Sequence, residues 1–113
     1  MDRIYNKLVR DKIPDIIRAK GEEPVYRYIE DKNEYIAELE KKLKEECNEV
    51  INAKENGERL EELADLLEVI MALAGATDSD IQEVIDIADE KARKRGGFEE
   101  GIFLEGVISS KEK

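Results

Sequence analysis

The chain has 113 residues, 41% hydrophobic and 42% charged, with a formal net charge of −10, two Phe, four Tyr and no Trp. That length suits a single domain spanning residues 1–113, with an aliphatic core and strongly charged outer helix faces. The acidic balance argues against a nucleic-acid polymer or a membrane surface as partner, since both demand clustered cations.

The absence of His removes Ser-His-Asp and Cys-His nucleophile systems and His-containing zinc sites. The lone Cys47 cannot form an intrachain disulfide and is consistent with a reducing compartment. The opening MDRIYNKLVRDKIP lacks the apolar run of a signal peptide, and no apolar stretch approaches the ~18 residues of a membrane span. A cytoplasmic protein is the expectation.

Residues 1–12 set Arg3, Lys7, Arg10 and Lys12 among Ile4, Tyr5, Leu8 and Val9, a cationic arm in an acidic chain. It reads as a solvated arm or as a source of phosphate contacts. Pro14 suits the first turn of a short helix stopped by Gly21. Residues 25–29 (VYRYI) alternate and are rich in β-branched and aromatic side chains, which predicts a short strand. Its candidate partner is 102–108 (IFLEGVI), making a small two-stranded β ribbon.

Asp31 and Glu34 form the pattern of a capping box and open a helix to about residue 55, closed by Asn56-Gly57. Its apolar stripe runs Ile36, Leu39, Leu43, then Glu46, then Val50. Glu46 thus takes a core position, and Glu49 lies about 60° round from it. A buried unpaired carboxylate is costly, so Glu46 calls for a cation or a proton.

A second helix is expected from about 58 to 74, with Gly75 near its end. From Leu63 to Ala76 only Asp65 and Glu68 are ionisable, and apolar residues cover almost the whole circumference. Burial on all sides in so short a chain predicts a second subunit. Ser79 and Gln82 suggest another capping box, opening a helix to about Arg95 that Gly96-Gly97 closes. Its stripe of Ile81, Val84 and Ala88 continues into Lys91 and Arg95. Residues 109–113 read as a frayed tail.

Two helices therefore each carry acids at i, i+3: Glu46 and Glu49 on one, Glu62 and Asp65 on the other. Residues so spaced are neighbours on a helix surface. An antiparallel pair could aim all four at one point, an oxygen-only site suited to Mg²⁺ or Mn²⁺. The competing readings are a structural ion-pair network, with Lys91 or Arg95 pairing Glu46 and Asp65, and plain solvated faces. Cys47 beside these acids reads as packing.

Glu45-Glu46-Cys47-Asn48-Glu49, then twelve residues, then Glu62-Leu63-Ala64-Asp65, resembles the EExxE…ExxD pattern of the MazG-like all-α nucleotide pyrophosphohydrolases. The segment from Lys91 to Phe98 (KARKRGGF) is similar to that family's cationic helix end. The opening from Tyr5 to Pro14 (YNKLVRDKIP) resembles the start of a phosphoribosyl-ATP pyrophosphohydrolase-like, house-cleaning subgroup.

The resemblance implies a mainly all-α fold, an antiparallel helical bundle completed as a homodimer or homotetramer. It implies hydrolysis of a nucleoside triphosphate between the α and β phosphates, giving monophosphate and pyrophosphate. Glu46, Glu49, Glu62 and Asp65 would hold Mg²⁺ (or Mn²⁺). Glu45 would orient or deprotonate water, with Glu49 sharing the catalytic role. Lys91 and Arg95 would hold the triphosphate, joined by Asn6, Lys7 and Arg10.

Phosphoribosyl-ATP pyrophosphohydrolases of histidine biosynthesis carry the same acids followed by a Tyr-His pair. Here those positions are Glu68-Val69, which favours house-cleaning of non-standard or excess nucleotides over that substrate. Two further readings compete with an enzyme. One is a nucleotide- or metal-binding module without turnover; the other is a helical interaction protein.

Overall fold

A computed structural model describes residues 2–109. Its elements are α1 (Ile13–Ala19), α2 (Lys32–Asn52), α3 (Asn56–Ala76) and α4 (Ile81–Arg95), with no strand among the described residues, so the fold is all-α. The chain divides into two compact units, Met1–Ile81 and Gln82–Lys113. Met1 of the cationic arm and the expected tail from residue 110 onward lie outside the described residues.

The first unit is built on the α2–α3 hairpin. Asp31 adopts an extended backbone and its carboxylate accepts from the Glu34 N–H at 2.8 Å, capping α2. The Glu34 side chain pairs with Arg27, whose Nη1 donates to it at 3.2 Å. That hydrogen bond and charge hold the Glu34 carboxyl below the usual glutamate range.

α2 stops at Asn52, before the expected end. Asn56-Gly57 does not close α2; it opens α3, whose N-cap is Glu55. The first turn of a helix has no i−4 acceptors for its N–H groups, so weak helix formers are tolerated there. At the other end α3 runs past Gly75 to Ala76. The Thr77 hydroxyl donates to the Ala74 carbonyl at 2.8 Å, and Asp78 takes a left-handed backbone, φ 58°.

Three residues connect two helices of 21 residues each, which sets them antiparallel and packed together. Among the described residues the buried apolar ones are Leu39, Ala53, Val69 and Ala74, all on this hairpin. Every member of the predicted α2 stripe, Glu46 included, is at least half-buried. α3 divides into two faces. Leu66, Val69, Ile70 and Leu73 turn inward, while Leu60, Leu63, Leu67 and Met71 form an exposed second stripe at spacings 3, 4 and 4.

The predicted β ribbon is not formed: 25–29 and 102–108 carry no ladder. Local partners occupy 25–29 instead. Arg18 Nη2 donates to the Tyr26 hydroxyl at 3.2 Å, its guanidinium lies 5.7 Å from that ring, and Arg27 pairs with Glu34. The segment thereby ties α1 to the start of α2. α1 keeps Pro14 in its first turn, as expected, and ends before Gly21 at φ 85°.

In the second unit α4 runs to Arg95. Gly96, at φ 80°, donates to the Ala92 carbonyl at 2.8 Å, realising the predicted glycine stop. Every described residue from Gln82 to Ser109 is exposed. No helix among the described residues is long and apolar enough to cross a membrane.

Candidate metal centre

The hairpin brings Glu46 of α2 together with Glu62 and Asp65 of α3. One carboxylate oxygen from each lies within 4.8 Å of the others, and all three residues are half-buried. An octahedral Mg²⁺ at about 2.1 Å holds its ligand oxygens roughly 3 to 4.2 Å apart. Three carboxylates without imidazole or thiolate are the donor chemistry of a hard divalent cation. Glu49, the fourth predicted ligand, is exposed and stands outside this trio.

Crowding has an electrostatic signature. Partial burial first, and then the charges of Glu49, Asp65, Glu46 and Glu58, raise the Glu62 carboxyl above its ordinary value. Desolvation and like charge both disfavour the ionised form. A cation at this point would relieve both.

Within the first unit two protein cations meet the trio. Arg10 Nη2 donates to Asp65 Oδ1 at 3.0 Å. Lys42 Nζ lies 3.7 Å from Glu46 Oε1 and donates to Glu45 Oε1 at 3.3 Å. Lys7 Nζ stands 3.8 Å from the same Glu45 oxygen. The cationic arm therefore lies over the acids through Lys7 and Arg10. Asn6 in the same arm is exposed and has a left-handed backbone, φ 46°.

Lys42 escaped the sequence reading. Its signal was present: a lysine three and four residues before adjacent glutamates, the spacing at which helix side chains meet.

Lys91 and Arg95 belong to the second unit. They sit one turn apart on α4, along a groove shared with Glu83, Ile87 and Glu90. Their neighbours Arg93 and Lys94 pair with Glu90, while Lys91 and Arg95 form no ion pair among the described residues.

An uncharacterized protein of Mycolicibacterium smegmatis (strain ATCC 700084 / mc(2)155) is 52% identical over 44 residues. The match covers 39% of this chain and 44% of that protein, so it spans less than half of the relative's length. No solved structure matches the chain. The family model of phosphoribosyl-ATP pyrophosphohydrolase matches residues 7–92, a span holding both helices of the hairpin and all the clustered acids, and the chain belongs to that family of MazG-like all-α proteins.

Proposed function

We propose that the protein is a divalent-metal-dependent nucleotide pyrophosphohydrolase that cleaves nucleoside triphosphates between the α and β phosphates. The products are a monophosphate and pyrophosphate, and the role is the removal of non-standard or excess nucleotides in the cytoplasm. The observation that carries this reading is the oxygen trio of Glu46, Glu62 and Asp65, within 4.8 Å of one another inside the family's matched span.

When bound, Mg²⁺ or Mn²⁺ supplies charge neutralisation at the phosphate oxygens. Glu46, Glu62 and Asp65 would hold it, with Glu49 as a fourth ligand. Glu45 is half-buried at the edge of the trio and has Lys42 and Lys7 for neighbours. It orients the attacking water and accepts its proton, and Glu49 supports it. Lys7, Arg10 and Asn6 lie on the arm above the acids, where they meet phosphate oxygens. Lys91 and Arg95 of the second unit, exposed on α4, offer further cations for phosphate.

The exposed stripe of Leu60, Leu63, Leu67 and Met71 supports a homo-oligomer, a dimer or tetramer, with α3 at the interface. Light scattering on the purified chain reads that state directly.

Phosphoribosyl-ATP is the second reading, and the family's description favours it. Against it stand Glu68-Val69, with Glu68 exposed, where a Tyr-His pair marks that substrate.

The test is a product assay over standard and modified triphosphates and phosphoribosyl-ATP, with metal and with EDTA. Metal-dependent release of pyrophosphate from triphosphates is expected. Release from phosphoribosyl-ATP alone selects the second reading, and no metal-dependent release from any of them overturns both.

A further inference from the structure

The cations around the acids are not alike. Arg10 and Lys7 come from an irregular arm and are largely solvated, and exposed pairs of that kind contribute little. Lys41, on the outer face of α2, is 73% exposed and pairs with Glu38 at 2.9 Å as an ordinary surface lysine does. Lys42, the next residue, is 18% exposed, and it faces Glu46, itself 13% exposed. Both of its partners lie on the same helix.

Helix stability does not explain the pairing. A lysine four residues before a glutamate is the weaker order for an i, i+4 pair, because it opposes the helix dipole. What the arrangement does achieve is geometric. Glu45 and Glu46 are adjacent in sequence, so their side chains leave the helix about 100° apart. A single ammonium has three donors. Here its nitrogen lies 3.3 Å from Glu45 Oε1 and 3.7 Å from Glu46 Oε1.

We infer that Lys42 is a positioning residue, which fixes Glu46 as a metal ligand and Glu45 as the group that handles water, and sets their mutual angle before either metal or substrate arrives. The inference rests on the roles proposed above for Glu45 and Glu46. Lys42 itself touches neither the phosphate chain nor the water.

Positioning and simple charge balance predict opposite outcomes. If Lys42 only neutralised the acids, its removal would leave a more negative site that binds a divalent cation more tightly. If it orients Glu46, its removal weakens metal binding despite the added negative charge.

The experiment is Mn²⁺ binding to the full chain, followed by electron paramagnetic resonance, together with kcat and KM for pyrophosphate release at saturating Mn²⁺. Wild type, Lys42→Met and Lys42→Arg are compared. Lys42→Met is expected to bind Mn²⁺ about 10–100-fold more weakly and to lose a similar factor in kcat. Its KM should change by less than about threefold, because the loss falls on the chemical step. Lys42→Arg, which restores the cation, recovers most of both.

Circular dichroism checks the fold, and Lys42→Gln replaces Lys42→Met if the latter does not fold. Mn²⁺ binding as tight as wild type or tighter in the neutral variant overturns the positioning role and leaves the metal site standing. A wild-type chain that binds no Mn²⁺ overturns the site and the positioning role together.

Discussion

α2 and α3 have the same length and face each other, yet they use their surfaces differently. α2 has one inward stripe, Ile36, Leu39, Leu43, Glu46 and Val50, and its other faces are charged. α3 has two stripes: one packs on α2, and the other shows Leu60, Leu63, Leu67 and Met71 to solvent. The clustered acids Glu46, Glu62 and Asp65 lie where the two inward faces meet. A helix with one apolar face is complete once it has one neighbour; a helix with two needs another. The hairpin therefore gathers the acids on one side of α3 and leaves an exposed apolar surface on the other.

That contrast is open to attack from either side. The largest effect is expected at the acids. Glu46→Gln or Asp65→Asn should lower kcat/KM by about 10²–10³, with the helical circular dichroism unchanged. If both variants kept full activity, the inward faces would not be the site.

Next is the packing beneath it. Leu39→Ala removes a side chain that is only 3% exposed and should cost about 2–5 kcal/mol in urea unfolding. The outer stripe answers differently. Leu63→Lys with Leu67→Lys should shift light scattering toward monomer while costing less in the isolated hairpin, because both positions are already exposed. A smaller change follows at the start of α2, where Asp31→Ala forfeits the cap on the Glu34 N–H, about 1 kcal/mol in the same unfolding assay.

The smallest and most specific effect is in the pH dependence without metal. The Glu62 carboxyl is raised in the folded chain, so between its unfolded and folded values the native state binds more protons than the unfolded one. Stability therefore falls as pH rises through that window, and the full penalty remains above the folded value. The melting temperature in EDTA should rise on mild acidification, other groups being equal. Glu62→Gln should flatten that part of the profile; Mg²⁺ is expected to raise the wild-type melting temperature at neutral pH, and Glu62→Gln to abolish that rise.

Much of this was legible in the residues. The place of Glu46 on an apolar stripe fixed which face of α2 turned inward, and Asp31 fixed where α2 began. Both are local properties, set by helix periodicity and by one side chain reaching one N–H. The apolar surround of α3 from Leu63 onward was likewise visible, because composition within one helix shows it without knowledge of any partner.

Other features depended on what lay across space. The segment 25–29 had strand composition, but a strand needs a ladder, and Arg18 and Glu34 took Tyr26 and Arg27 instead. Asn56-Gly57 has the chemistry of a helix stop, but at a first turn the same chemistry costs little, so α3 starts there. The sequence by itself determined the helices, the acid pairs and the oxygen-only donor set, since each follows from spacing within one element. Only the tertiary structure decided that Glu46, Glu62 and Asp65 converge while Glu49 stands aside, and that Lys42 and Arg10 meet those acids. Those outcomes depend on how two helices rotate against each other and where an irregular arm lies, and periodicity within a helix specifies neither.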